Sequence, residues 1–361
     1  MRKGCRCIGG ALLLGAMLMT TACGTKEVSM EEKLEKYARA EKSYAIQMDV
    51  EIEVPTSINP LTGMADISAE AVGKRPVAIM VNNVPKSFPQ YGIEQASIIF
   101  EIPVEGGSTR FMALYADYTQ VPEVCSIRSA RKYFPAISEG FDAVYVNWGR
   151  NEAIIEYLES LNLTQFEGLF NQGDLFARDT ERQDAGYSLE HTGYFKGPEL
   201  PAAMERLNKR VDIEEGKEGF AFHFHPYKQL IAPSEVACTS VNIDFGAAEA
   251  GFTYDAASKT YKKSFDGEPQ IDGRTGNTLA FTNVFVLETR ITADENGLHR
   301  EVDWTGGNGY YVSGGYMQKI TWSKASEEAP LKLFNENGKE LTINRGKSYF
   351  AINYIGEATF E

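Results

Sequence analysis

Two glutamates, a set of arginines and one histidine are the residues of this chain whose types and spacing could do chemistry. "FEIPVEGGSTRF" (100–111) carries Glu101, Glu105 and Arg110, and "CSIRSARKYF" (125–134) carries Arg128 and Arg131. "FARDTERQDAGYSLEHTGYF" (176–195) adds Arg178, Asp179, Arg182 and His191. Paired carboxylates can serve as acid and base. A histidine beside arginine and carboxylate can have its pKa tuned by them. Arginines recognise carboxylate or phosphate through a planar fork of donors.

Spacing constrains the carboxylate pair. If residues 101–105 continue one strand, Glu101 and Glu105 share a face with Cα atoms ~13 Å apart. That exceeds the ~5 to 9.5 Å carboxyl separations of glycosidase pairs, unless the Gly106-Gly107 pair bends the chain. The alternative is structural, with the carboxylates neutralising arginines. With Ser129 as N-cap, Arg131 falls in the first turn of a helix and Arg128 just before it. The helix dipole opposes cations there by about 0.3 to 1 kcal/mol. Both arginines therefore answer either to carboxylates such as Glu101 and Glu105 or to a bound anion.

Other candidates are weaker. His223 and His225 in "FHFHP" share one strand face but have no cysteine or acidic neighbour in sequence, so no metal site is expected. There is no G-x-S-x-G elbow. Cys125 stands near the arginines, yet reads as a small buried side chain. Together with Cys238 it is compatible with one disulfide or with two free thiols. "GGNGYYVSGG" (306–315) lacks the strand-to-helix context of a phosphate loop and is read as turns. No cofactor is expected.

The elements that must position these residues are mixed in the first half. "RPVAIMVNN", "ASIIFEIPV", "RFMALYA" and "DAVYVNWG" are apolar runs of strand type. "KYFPAISEGF", "NEAIIEYLESL" and "GPELPAAMERLNKRV" are helical, with Pro135 suited to a first turn. Beyond 218 short alternating strands are punctuated by Gly, Asn and Asp, with a hairpin signal at Asn337-Gly338. The fold class is α+β. A mixed α/β domain spans 57–211, and a smaller, mainly antiparallel β domain spans 218–361.

The start of the chain reads as a leader. Arg2, Lys3 and Arg6 precede the apolar run "IGGALLLGAMLM" and the small residues "TTAC". The run is too short for the ~20 residues of a membrane-spanning helix. Residues 1–22 form a signal peptide, and Cys23 resembles the lipidated cysteine of a lipobox, although Thr20 stands where leucine is usual. Acyl chains such as palmitate on Cys23 would anchor the chain, and 23–56 is a polar tether. Removing the leader takes away three positive charges and no negative ones, shifting net charge from −14 to −17. Such a chain should not bind nucleic acid, which takes a basic face.

"NPLTG", "RPVAIMVNN", "EIPVEGGSTRFMALY", "SIRSARKYF" and "FDAVYVNWG", in this order, resemble the YerB family of bacterial lipoproteins, domain of unknown function 3048. "YDAASKTYKK", "DGRTGNTLAFTNVFV" and "GGNGYYVSGGYMQKITWSK" look like its C-terminal domain. The resemblance implies a lipoprotein anchored on the outer face of the cytoplasmic membrane, with no settled activity. It places polar motif residues at Asn82, Asn83, Glu101, Glu105, Arg110, Arg128, Arg131, Arg178, Arg182 and His191. Cys125 replaces a proline of the family pattern, and "LEHTGYF" departs from the usual P-H-N-x-Y. Three roles remain open: binding an anionic or glycan wall component through Asn82, Asn83 and the arginines; protein interaction with a membrane complex; and glycan or phosphodiester cleavage with Glu101, Glu105 and His191 as acid and base.

Overall fold

The apolar runs become strands because their residues are buried on both faces, as continuous Val/Ile/Leu-rich strands are when a sheet is covered on two sides. The computed structural model describes residues 56–150, 152–161, 163–170, 175–215, 217, 222–227 and 229–361; the leader, Cys23 and the tether up to residue 55 lie outside the described residues. The first half contains β1 (Val77–Asn83), β2 (Ile98–Pro103), β3 (Thr109–Tyr115), β4 (Glu123–Cys125), α1 (Tyr133–Glu139) and β5 (Val144–Asn147). It continues with α2 (Ile155–Ser160), β6 (Gln165–Glu167), β7 (Phe176–Arg178), α3 (Thr180–Asp184), β8 (Gly193–Lys196) and α4 (Leu200–Arg206). The second half supplies β9 (Ser240–Asp244), β10 (Glu249–Asp255), β11 (Thr260–Phe265), β12 (Asn283–Thr289), β13 (Gly306–Ser313), β14 (Tyr316–Ser323), β15 (Ser348–Tyr354) and β16 (Ala358–Phe360). This is the α+β class read from the sequence, with a mixed first half and a mainly antiparallel second half.

Both halves feed one 11-stranded sheet. Its order is Val236–Ala237, β14, β13, β12, β15, β2, β3, β1, β5, β6, with Lys332–Asn335 also on β14. The halves meet where β15 pairs in parallel with β2, Ile98 opposite Ser348. An aromatic ladder crosses this seam: Phe100 stacks on Phe350 at 4.8 Å, Phe350 on Phe285 at 4.4 Å, and Phe285 on Tyr311 at 4.8 Å. Such pairs add about 0.5–1.5 kcal/mol each beyond their buried area.

The two faces of the sheet are sealed differently. Ala78 and Met80 of β1 turn toward Tyr133, Phe134 and Ile137 of α1. Val77, Ile79 and Val81 turn toward the apolar core shared with Val241, Ile243 and Phe252 of a second, six-stranded sheet. That sheet runs Glu268–Pro269, β11, β10, β9, β16, with Ala280–Phe281 also on β11. A third sheet, β4–β8–β7, carries the histidine and arginine segment beside the main one.

Three local expectations are corrected. Residues 306–313 form β13 and not turns; only Gly314 and Gly315 turn. The glycines of β13 reflect close approach: a Cβ would stand 2.2 Å from the Glu288 carbonyl oxygen at Gly307 and 2.4 Å from that of Val286 at Gly309. The strand carrying Glu101 stops at Pro103, and Glu105 begins a short 3-10 turn that passes through Gly106 at φ 71°. Ser129 caps no helix. α1 starts at Tyr133, and residues 127–130 run as an extended strip, with Ile127 N–H donating to Gly193, Arg128 to Met80 and Ala130 to Gly149.

Candidate functional site

That strip presents Arg128 near the ends of β1 and β5, and Arg131 follows it two residues before the start of α1. Arg110, on β3, lies opposite Asn82 of β1 and Ile102 of β2. Its Nη1 donates to the Ser129 carbonyl at 2.7 Å. Glu105 reaches back from the turn: Arg131 Nε donates to its Oε2 at 2.7 Å, and Arg131 Nη2 pairs with Oε1. Arg110 Nη2 is only 3.9 Å from the same Oε1. Behind them, Tyr133 hydroxyl donates to the Pro103 carbonyl at 2.6 Å.

Arg128 closes the other side, Nη1 lying 3.1 Å from Glu190 Oε2. Glu190 Oε1 is 3.7 Å from His191 Nε2, and His191 Nδ1 is 3.0 Å from Asn82 Nδ2. The Asn82 amide donates, so Nδ1 accepts and the ring proton sits on Nε2, toward Glu190. Burial, ahead of every other influence, lowers the His191 pKa below its usual value and keeps the ring neutral. Arg178 flanks this arm, stacked 4.2 Å over Trp148, with Nη1 donating to the Leu189 carbonyl at 2.6 Å.

Charge at the cluster is unbalanced. Three guanidiniums face two carboxylates, Glu105 and Glu190, which are 32% and 57% exposed. Arg110 is 4% exposed, and its Nε and that of Arg128 have no partner among the described residues. Burial, then the neighbouring Arg128, push the Arg110 pKa down to about 10. A buried cation beside a like charge is poorly neutralised, which is the state an added anion relieves.

The remaining expected residues go elsewhere. Glu101 is fully buried at the join of the two sheets. It accepts from Asn83 Nδ2 at 2.8 Å and Thr109 Oγ1 at 2.6 Å, receives the Tyr349 hydroxyl at 2.5 Å, and pairs with Lys263 Nζ at 3.3 Å. With all its acceptor capacity used and no exposed surface, it serves the fold. Arg182 turns away from the cluster, donating to the Pro89 carbonyl at 2.8 Å and the Ser87 carbonyl at 2.6 Å. Cys125 and Cys238 are buried free thiols, and burial pushes Cys125 up to about 12.

Some residues escaped the sequence reading. Glu190 was adjacent to His191 and signalled only by that adjacency. Lys263 had a clearer signal, since Tyr261, Lys263 and Phe265 alternate inward along β11. Trp148 gave none. Among the described residues no group of His, Cys, Asp and Glu is placed to hold a metal ion, and no helix is long and apolar enough to cross a membrane.

Fold and cluster define a class: α+β proteins with two halves joined through one sheet and a surface cluster of arginines and carboxylates. Family models described as "Protein of unknown function (DUF3048) N-terminal domain" and its C-terminal counterpart match residues 61–210 and 241–350. The Bacillus subtilis (strain 168) protein named "Putative lipoprotein YerB" is 31% identical over 304 residues, which cover 81% of this chain and 85% of that protein. A crystal structure of YerB protein from Bacillus subtilis superposes with TM-score 0.72 at 28% identity, covering 84% of this chain and 98% of the other. The chain therefore belongs to the DUF3048, YerB-like family.

Proposed function

We propose that this protein is a lipid-anchored component of the bacterial envelope, held by Cys23 on the outer face of the cytoplasmic membrane, and that its arginine cluster binds an anionic, glycan-bearing wall component. The anchor reading rests on the leader of residues 1–22, the small-residue stretch before Cys23 and the printed name of the relative. The binding reading rests on one observation: among the described residues Arg110, Arg128 and Arg131 converge on two partly exposed carboxylates, in a chain of net charge −14. A local excess of guanidinium in an acidic protein attracts a specific anion without general stickiness to polyanions.

The test uses the full chain in detergent, mixed with a polyol-phosphate wall polymer or with an uncharged wall glycan. The phosphate polymer is retained, more weakly as salt rises, and Arg131→Ala and Arg110→Ala each weaken retention about tenfold or more through loss of charge-assisted donors. Equal retention of the uncharged glycan, or variants that bind as the parent does, would sink the reading. A second reading draws on the neutral His191 oriented by Asn82 and facing Glu190, an arrangement suited to proton transfer. Release of shortened product from the same polymers, lost in Glu105→Gln or His191→Gln, would favour cleavage. Neither retention nor product would leave a protein-interaction role.

A further inference from the structure

A pocket of about 430 Å³ opens between the loop of residues 85–90 and the hairpin of residues 265–271, one from each half of the chain. Its walls are Phe88, Pro89, Phe265, Pro269 and Ile271, and the rings of Phe88 and Phe265 meet edge to face at 4.9 Å. The volume lies in the range of small-molecule sites, about 300–1,000 Å³.

The first wall is fixed carbonyl by carbonyl. Arg182 holds those of Ser87 and Pro89, the Tyr187 hydroxyl donates to that of Phe88 at 2.7 Å, and Gly273 N–H donates to that of Gln90 at 2.6 Å. Gln90 Nε2 ties the loop to the Asn82 carbonyl at 2.9 Å, and Gln270 Nε2 ties the hairpin to Asn83 Oδ1 at 2.8 Å. Arg182 and Asn83, expected at the arginine cluster, thus build this pocket. A wall secured in this way does not have to be ordered when a ligand enters.

Gln270 is 3% exposed and serves the wall through its Nε2, while its Oε1 is buried away from the opening. One polar feature gives the apolar pocket a sign. Asp266 and Glu268 belong to the lining, and among the described residues no basic one does. Two exposed carboxylates beside aromatic and proline surface favour a cation whose body is apolar over an anion.

We propose that this pocket binds a small amphipathic cation, an aromatic or branched apolar group carrying a primary ammonium. The apolar body lies between Phe88, Phe265 and the prolines, and the ammonium faces the Asp266 and Glu268 side. This site is separate from the arginine cluster, and the two proposals stand or fall independently.

The probes are phenethylamine, 2-phenylethanol and 3-phenylpropanoate, titrated calorimetrically into the full chain at neutral pH. Phenethylamine should bind, with the alcohol weaker and the propanoate at least tenfold weaker. Glu268→Lys, at an exposed position, should cut amine affinity about tenfold and narrow the gap to the acid. Ile271→Trp should fill the pocket and abolish binding, with an unchanged melting temperature showing that the fold is kept. Arg110→Ala should leave amine binding unaltered. Absence of amine binding, equal binding of amine and acid, or binding that survives Ile271→Trp would overturn the proposal.

Discussion

Arg131 and Arg110 share Glu105 unequally. Arg131 grips it with two donors, while Arg110 lies 3.9 Å away and spends its Nη1 on a backbone carbonyl. Glu105→Gln should therefore tighten anion binding at the cluster several-fold, since it deletes a competing carboxylate and keeps an acceptor for Arg131; the retention assay reads this directly. His191 gives a pH prediction. Its pKa is lowered in the fold while an unfolded histidine titrates near about 6.5, so the unfolded chain binds the extra proton first as pH falls. The stability that His191 contributes is present above about 6.5 and is lost below it, a decline seen as a falling urea midpoint between pH 7.5 and 5.5. His191→Gln should flatten it in part, and His225, also lowered by burial, contributes with the same sign. Cys125 and Cys238 should resist alkylation in the native protein and react at once in denaturant, because both are buried and burial raises both thiols. Of these residues, the sequence marked the arginines, Glu105 and His191 by type and proximity. It could not assign their partners, because Glu190 and Glu105 stand 62 and 26 positions from Arg128 and Arg131, respectively, and meet them only across loops.

At the scale of elements, β2 and β11 are pinned by the Glu101–Lys263 pair, with Lys263 ringed by Phe111, Phe252, Phe265 and Tyr349 at 5.6 to 6.0 Å. Removing one partner strands the other charge in an apolar layer. Glu101→Gln should cost about 3–5 kcal/mol in denaturant unfolding, and Glu101→Gln with Lys263→Met should recover much of that loss. A single variant as stable as the parent would mean that the pair is not a structural lock. The strands themselves were legible, since Val77–Asn83 and Ile98–Pro103 fall inside the apolar runs and Thr109–Tyr115 starts one residue ahead of the run at 110–116. The helix start was not. Ser129 looks like a cap in sequence, but the backbone donors of residues 127, 128 and 130 go to the carbonyls of Gly193, Met80 and Gly149, and the helix begins only at Tyr133. Glycines 307 and 309 misled in the same way, because their absence of side chains serves contact with a neighbouring strand.

At the scale of the molecule, the seam between β2 and β15 makes the two family regions one folding unit in the described residues, since parallel pairing there joins them through backbone hydrogen bonds. Residues 57–217 expressed alone would expose the edge of β2 together with half of the aromatic ladder, and bare apolar edges pair with one another. That fragment should aggregate or remain poorly folded by circular dichroism and size-exclusion chromatography, while the whole chain is folded and well dispersed. A monomeric, cooperatively melting fragment would show that the first half closes on its own.

The sequence by itself determined the α+β class, the buried strands and the cast of charged residues, because periodicity, apolar runs and residue type are local properties. Which charges meet was decided only by the tertiary structure. Polar contacts form over a few ångströms between residues that can be 248 positions apart, as are Glu101 and Tyr349 in their hydrogen bond, and no local pattern records that distance. The same folding step divided the expected residues into three uses: Arg110, Arg128, Arg131, Glu105 and the His191 arm at a surface cluster, Glu101 in a sealed lock, and Arg182 with Asn83 behind an apolar pocket.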